Sequence, residues 1–282
     1  MDTIQWYPGH MVKAKKLVRE NLKLVDVVIE LVDARIPVSS RNPDINQILG
    51  DKPRVMVLNK ADLADDTMTA RWEKYFTNTG LPVTSVNSHT GQGINRLLDL
   101  VRQQAREVIE KHVAKGRQPR AVRSMIVGIP NVGKSSLINK VAGKGTAKTA
   151  DRPGVTKGKQ WIRLNRDLEL LDTPGILWPK FTDPEVGFKL AVTGAIKDEV
   201  INIEQVVLKL LELLRKIGPE EIMTRYKLTR LPDDNGELLQ AIGSKRGCLI
   251  SGGQVDTLKT ASIVMNEFRG GKIGRFTLDI PE

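Results

Sequence analysis

Four short segments of the chain carry residue types that bind phosphates and purine bases. The first, GIPNVGKS at 128–135, matches the pattern G-x-x-x-x-G-K-[ST] and stands between an apolar run and a helical one. Its two glycines let the backbone curl so that successive N–H groups face phosphate oxygens. Lys134 would reach the β- and γ-phosphates, Ser135 would give its hydroxyl to Mg²⁺, and Ser136 would meet the α-phosphate side. This segment therefore predicts a nucleotide phosphate site.

The second segment, NKAD at 59–62, has residues that can identify the base. It follows the apolar run PRVMVL and matches the guanine-reading pattern N-K-x-D. Asp62 can accept hydrogen bonds from the ring N1–H and the exocyclic amine of guanine, a pair of donors that adenine lacks. Asn59 would support N7, and the stem of Lys60 would cover the ring. An unpaired Asp62 would make ATP binding costly, so the segment predicts strong discrimination for guanine.

Two further strand ends extend the same chemistry. In VNSHTGQG, Asn87 and Ser88 would approach the guanine O6 through backbone N–H groups, although the usual Ser-Ala-Lys triplet is missing. In DTPG at the end of another apolar run, Asp172 would hold Mg²⁺ through water, and the Gly175 N–H would bond the γ-phosphate as a switch. Thr156, in DRPGVT, is a candidate second Mg²⁺ ligand. NKAD or DTPG alone could be an ordinary polar turn, but together the segments predict one guanine-nucleotide site.

The order of these segments along the chain is permuted, because the base-reading loops precede the phosphate-binding loop. The second switch then leads through ILWPK at 176–180 directly into the C-terminal part of the chain. The predicted magnesium ligands are Ser135, Thr156 and Asp172. The predicted nucleotide-binding residues are Asn59, Lys60, Asp62, Asn87, Ser88, Asn131, Val132, Gly133, Lys134, Ser135, Ser136 and Gly175.

The elements that must position these loops alternate between strands and helices. Apolar runs at 26–34, 53–60, 81–87 and 123–129 read as buried parallel strands, and QWIRL and LELLDTPG supply two more. This alternation predicts an α/β fold with a doubly wound, mostly parallel sheet. VVLKLLELLRKI and its surroundings have helical spacing, which predicts a small all-α domain. We therefore predict a permuted GTPase domain at 1–178, beginning with a basic helix, and a helical RNA- or ribosome-binding domain at 179–282.

Composition narrows the class of protein. The 282 residues are 40% hydrophobic and 27% charged, and none of the apolar runs reaches the roughly 18 residues of a membrane helix. The N-terminus lacks signal-peptide features, and the single Cys248 excludes an intramolecular disulfide and a multi-cysteine zinc site. We expect a cytoplasmic protein. Residues 1–175 hold 29 Lys and Arg against 18 Asp and Glu, so they carry the whole net charge of +11. That excess fits either a solvated basic surface or a nucleic-acid partner.

The motifs resemble those of the circularly permuted GTPases of ribosome assembly, and most closely the bacterial YlqF/RbgA family. The resemblance rests on QWYPGHMVKA, ELVDARIPVSSRNP, NKAD, GIPNVGKS, DRPGVT and LLDTPGILWPK. It implies a GTPase acting late in maturation of the large (50S) ribosomal subunit, with GTP or GDP, the subunit and its rRNA as partners. It also implies binding in the GTP state and release on hydrolysis. We further expect a monomer without stable membrane association.

The group that orients the attacking water is not evident. DTPG is followed by Ile176-Leu177-Trp178, without the glutamine that many small GTPases use, so isolated turnover should be slow. His10 is the candidate for this task alongside the catalytic Lys134, although His10 could instead cap or pack the N-terminal helix. Asn131 resembles the asparagine with which some potassium-dependent GTPases hold K⁺.

Several basic residues are candidates for RNA contact, with simple solvation as the alternative. An alternative function is a nucleotide-gated RNA-binding module with incidental hydrolysis, and a membrane-associated GTPase is a weaker one. The candidate RNA contacts are Lys13, Lys15, Lys16, Lys23, Arg117, Arg120, Arg123, Lys245 and Arg246.

Overall fold

A computed structural model describes residues 16–116, 118, 120–143, 160–163, 167–172 and 183–281 of the chain. Within these residues, six strands form one sheet in the order β3-β2-β1-β4-β6-β5. All neighbouring pairs are parallel except β5 with β6, which is antiparallel. The strands are β1 (Val27–Asp33), β2 (Arg54–Asn59), β3 (Val83–Val86), β4 (Val122–Gly128), β5 (Gln160–Arg163) and β6 (Leu168–Asp172).

Helices cover both faces of this sheet. Residues 16–22 are helical (α1) and contribute Val18 to a core with Val28 and Met125. Trp72 and Phe76 pack on the same face, against residues of β2 and β3 that the register aligns with that side of β1. All seven positions of β1 are buried, so both of its faces are covered, and five of the seven residues are apolar, as expected of a buried parallel strand. The helices of this part are α2 (Ile45–Leu49), α3 (Asp66–Asn78), α4 (Ile94–Ala114) and α5 (Lys134–Val141).

The remaining helices form a second compact unit, Asp183–Phe276. In α7 the buried positions recur every three or four residues, from Val206 to Leu214, which gives one apolar face. Asp183, Asn202, Asp234 and Asp256 cap four of these helices by accepting a backbone N–H in the first turn. The helices are α6 (Pro184–Val192), α7 (Ile203–Ile217), α8 (Pro219–Tyr226), α9 (Asn235–Lys245) and α10 (Thr257–Arg269).

The predicted fold class is confirmed: a mostly parallel α/β sheet is followed by a small all-α part. The domain division at 178/179 stays a prediction, because residues 173–182 lie outside the described part. At the C-terminus the compact units differ from the predicted domains, since residues 277–281 group with the sheet and not with the helices. In the described part of the chain, no helix is long and apolar enough to cross a membrane.

Candidate functional site

The loops predicted to read the base and to bind the phosphates meet at the carboxyl edge of the sheet. The register pairs Asp33 with Asn59, Asn59 with Val86, and Leu31 with Gly128, so the ends of four strands lie side by side. Permutation does not disturb this meeting point, because the sheet order depends on pairing and not on the order of strands along the chain. The predicted site is therefore assembled from loops that are distant in sequence, since Asn59 and Val132 are 73 residues apart.

Asn59 joins three of these loops through its side chain. Its Nδ2 donates to the Val132 carbonyl at 2.8 Å, and its Oδ1 accepts from Ser88 Oγ at 2.6 Å. Asn59 is 1% exposed, so these two bonds form away from water, where an unpaired amide would be costly. The sequence placed Asn59 at the base, and the structure adds that it holds the three loops together.

The phosphate-binding loop has the backbone geometry that an anion site requires. Asn131 and Gly133 adopt positive φ values of 56° and 99°, and α5 begins at Lys134. A side chain at Gly133 would place its Cβ 2.2 Å from Asn59 Nδ2, and one at Gly128 would lie 2.5 Å from the Leu31 carbonyl oxygen. Backbone N–H groups at the start of α5 and the helix dipole favour a bound phosphate there.

Lys134 is largely buried, with 8% of its surface exposed. Its Nζ donates to the Ile129 carbonyl at 2.8 Å and to the Gly128 carbonyl at 3.2 Å. These bonds hold the ammonium over the loop that would carry the phosphates. A cation in this position can neutralise charge on phosphate oxygens without a large loss of side-chain entropy.

Lys60 is fixed by a carboxylate that the sequence reasoning did not assign. Its backbone is left-handed (φ 59°), and its Nζ lies 3.0 Å from Asp33 Oδ2. Asp33 also accepts from Arg35 Nε at 2.9 Å and from Arg35 Nη2 at 2.8 Å. Burial alone would raise the pKa of Asp33, but the Arg35 and Lys60 cations outweigh that effect and hold the pKa well below its usual range. The carboxylate is therefore ionised and orients Lys60.

Asp62 has the property expected of a carboxylate that reads a base. It lies in a short 3-10 helix, Ala61–Leu63, directly after Lys60. Its Oδ1 is buried and finds no hydrogen-bond donor among the described residues. A buried carboxylate oxygen is stabilised when a ligand supplies N–H donors, and guanine offers two of them on adjacent atoms. The residues present thus fit a guanine base.

Asn87 and Ser88, the two predicted residues in the loop after β3, have different hydrogen-bond partners. The Asn87 N–H donates to the Gln92 carbonyl at 3.1 Å, and Asn87 Oδ1 accepts from the His89 N–H at 2.8 Å. Asn87 therefore shapes the loop, and its N–H is already engaged. Ser88 contacts Asn59 through its hydroxyl. Of the two backbone N–H groups, that of Ser88 is the better candidate for the base oxygen.

The predicted magnesium ligands are only partly covered by the described residues. Ser135 is the second residue of α5, where its hydroxyl is an oxygen ligand of the kind that Mg²⁺ prefers. Asp172 ends β6, which pairs with β4 through Met125 and Leu171. Thr156, Gly175 and the catalytic candidate His10 lie outside the described residues.

Comparison with known proteins decides which family this arrangement represents. Residues 123–230 match the family model described as 50S ribosome-binding GTPase. The ribosome biogenesis GTPase A of Bacillus cereus is 54% identical over 279 residues, covering 99% of this chain and 94% of that protein. Its counterpart in Bacillus pumilus is 51% identical over 280 residues, covering 99% of both chains. This chain belongs to the ribosome biogenesis GTPase A family.

Solved structures agree with that assignment. The crystal structure of GNP-bound YlqF from T. maritima matches with a TM-score of 0.71 and 29% identity, covering 96% of this chain and 99% of that chain. The sequence-based predictions of a YlqF/RbgA-type protein and of a GTPase are confirmed. In this member of the ribosome biogenesis GTPase A family, the NKAD and GIPNVGKS segments meet at the carboxyl edge of the sheet.

The candidate RNA contacts of this ribosome biogenesis GTPase A member divide into exposed and engaged residues. Lys16, Lys23 and Lys245 are exposed. Arg123 and Arg246 each lie 5.2 Å from an aromatic ring centre and pair with a glutamate, so packing also accounts for them. Lys13, Lys15 and Arg117 lie outside the described residues. Contact with RNA stays a prediction for all of them.

Arg120 has the clearest structural role among these candidates. Its two terminal nitrogens donate to Asp26 at 2.7 and 2.8 Å, and Asp26 is 3% exposed. This pair raises the pKa of Arg120, chiefly through the hydrogen bonds to Asp26. Without the guanidinium, Asp26 would keep only the bond from the Arg123 N–H among the bonds seen here.

Arg120→Ala should therefore lower the free energy of unfolding, by about 1–2 kcal/mol, because it leaves a buried carboxylate poorly satisfied. Urea unfolding measures this loss. Arg96→Ala is the matched control, since Arg96 is mostly exposed and lies 3.9 Å from Glu73; it should change stability by less than about 0.5 kcal/mol. An Arg120→Ala protein with unchanged stability and weaker binding to ribosomal subunits would instead assign Arg120 to RNA.

Proposed function

We propose that this GTPase is an assembly factor of the large ribosomal subunit in the cytoplasm. It binds the immature subunit in the GTP state and is released when GTP is hydrolysed. The observation that carries the proposal is the buried Asp62 Oδ1 beside Asn59 and the phosphate-binding loop, which together fit guanosine triphosphate. Choice of the large subunit is supported by the matching family model, described as 50S ribosome-binding GTPase.

In this proposal the residues around the nucleotide divide the work. Asp62 accepts hydrogen bonds from the two guanine N–H groups. Lys60, oriented by its ion pair with Asp33, covers the ring, and the Ser88 N–H donates to the base oxygen. Asn131, Val132, Gly133 and Ser136 present backbone N–H groups to the phosphates, and Gly175 contacts the γ-phosphate. Lys134 stabilises the charge that develops on the transferred phosphoryl group.

Metal ions would complete this site. Ser135, Asp172 and Thr156 would hold Mg²⁺, directly or through water. Asn131 would hold K⁺ next to the phosphates. When bound, these cations supply positive charge to the phosphate oxygens. Oxygen donors are the ligands that both ions prefer, and the Ser135 hydroxyl at the start of α5 is of that kind.

GTP turnover with and without purified large subunits, at fixed salt, tests the proposal. We expect slow turnover alone and stimulation of at least about tenfold by the subunits, since trans-acting groups in other GTPases give much larger effects. His10→Ala should keep GTP affinity and lose the stimulation. If subunits bind in a GTP-dependent way without stimulating the wild-type protein, the nucleotide-gated binding module is the better description.

The same turnover assay, run in K⁺ and in Na⁺ buffers, examines Asn131. If Asn131 holds K⁺, turnover should be faster in K⁺ buffer, and Asn131→Ala should remove the difference. Equal rates for the wild-type protein in the two buffers would count against this role. Subunit binding should also weaken steeply with salt if phosphate contacts dominate, and a flat salt response would argue against an RNA interface.

A further inference from the structure

The last described residues of the chain, 277–281, form a strap that binds loops of the nucleotide unit. Asp279 Oδ2 accepts from the backbone N–H groups of Val38 and Ser39 at 2.9 and 2.8 Å, and its Oδ1 accepts from Ser39 Oγ at 2.8 Å. Asp279 is 5% exposed, although it stands three residues from the C-terminus. Hydrogen bonds to a carboxylate are strong, so these three bonds satisfy the buried Asp279 and hold the loop at 35–40 in one conformation.

The strap contacts two segments that flank NKAD, namely the loop after β1 and the start of α3. The Leu278 N–H donates to the Arg35 carbonyl at 2.7 Å. Thr277 Oγ1 accepts from the Asp65 N–H at 3.2 Å, and Asp65 is the N-cap of α3 just beyond NKAD. Trp72 Nε1, from α3, donates to the Asp279 carbonyl at 3.2 Å. NKAD is thus held from the side of Arg35 and from the side of α3.

The conformation of Lys60, which lies between these contacts, depends on neighbouring segments. Lys60 occupies a left-handed backbone conformation that non-glycine residues rarely adopt. Its ammonium is oriented by Asp33, and Asp33 is in turn fixed by Arg35 and by its own N–H, which donates to Ser40 Oγ at 2.9 Å. The loop at 35–40 therefore sets the position of Lys60, and the strap sets the position of that loop.

We infer that the strap is a positioning element for guanine binding, acting through Arg35 and Asp33 on Lys60. The inference rests on the proposed nucleotide site. Preorganisation of a binding loop raises affinity because the ligand does not have to order the loop. Loss of the strap contacts should weaken GDP and GTP equally, since both share the base, and it should leave the rate at saturating GTP unchanged.

Asp279→Ala, made in the full chain, tests this inference. We expect GDP and GTP affinities to fall about tenfold, which corresponds to about 1.4 kcal/mol, with kcat unchanged. Thr277→Val removes the hydrogen bond from the Asp65 N–H with little change in side-chain volume. It should also weaken GDP and GTP affinity, so it tests the inference if Asp279→Ala does not fold. Ile280→Ala is the matched control, because Ile280 belongs to the same segment and is 73% exposed. Its affinity should equal that of the wild type.

A double-mutant cycle separates positioning from general stabilisation. If the strap acts through Lys60, Asp279→Ala should cost less than about twofold in a Lys60→Ala background, because the coupled contact is already gone. Equal losses in both backgrounds, or no loss in Asp279→Ala and Thr277→Val, would overturn the inference. If the wild-type protein itself fails to bind GDP, the proposed nucleotide site is wrong, which is a different outcome.

Discussion

Asp62→Asn should change the base preference of this GTPase from guanine to xanthine, with GDP affinity falling about a thousandfold. The wild-type carboxylate can accept both N1–H and the exocyclic amine of guanine. An asparagine amide would turn one of these acceptors into a donor that faces the amine. Xanthine carries a carbonyl oxygen at that position, so the same amide donates to it and its oxygen still accepts from N1–H. Fluorescent GDP and XDP titrations measure both affinities.

The burial of the Asp62 Oδ1 atom accounts for this large effect. Its Oδ1 is shielded from water and has no donor among the described residues, so the base must satisfy it. Asp66→Asn is a suitable control, because Asp66 is exposed in the first turn of α3, four residues along the chain. It should retain guanine binding. An Asp62→Asn protein that binds GDP as tightly as the wild type would show that another group reads the base.

The sequence predicted the parts of this site whose signal is local. GIPNVGKS and NKAD each follow an apolar run, and both the spacing and the strand ends could be inferred without a structure. The structure brings Asn59, Lys60, Asp62 and Ser88 to the same edge as the phosphate-binding loop. Their roles toward the nucleotide stay predictions, but their proximity follows from the register of four parallel strands.

Contacts between distant segments could not be predicted in this way. Asp279 lies 240 residues from Ser39, and nothing in the spacing of either residue indicates that they meet. Asp33 gave a weak signal, as an acidic residue at the end of an apolar strand, but its link to Lys60 depends on the pairing of β1 with β2. The net charge was also only an indirect signal for RNA binding. Arg120, one of the candidate RNA contacts, forms an ion pair with a buried aspartate.

Gly133→Ala should lower the affinity for GDP and GTP about a hundredfold or more, because it disturbs the junction of three loops at once. The new Cβ would lie 2.2 Å from Asn59 Nδ2, so Asn59 would have to move. That movement breaks the bond to the Val132 carbonyl and weakens the bond from Ser88 Oγ. The φ of 99° adds backbone strain for any residue with a side chain. Calorimetric titration with GDP measures the loss.

Gly143→Ala separates the effect of strain from the effect of the clash. Gly143 also has a positive φ, 81°, but a Cβ there would meet nothing within 4 Å. This control should lose about 1 kcal/mol of stability and keep its nucleotide affinity. Equal affinity losses in the two variants would mean that backbone strain, and not the position of Asn59, governs binding. A large loss confined to Gly133→Ala is the result expected if the Asn59 side chain holds the three loops together.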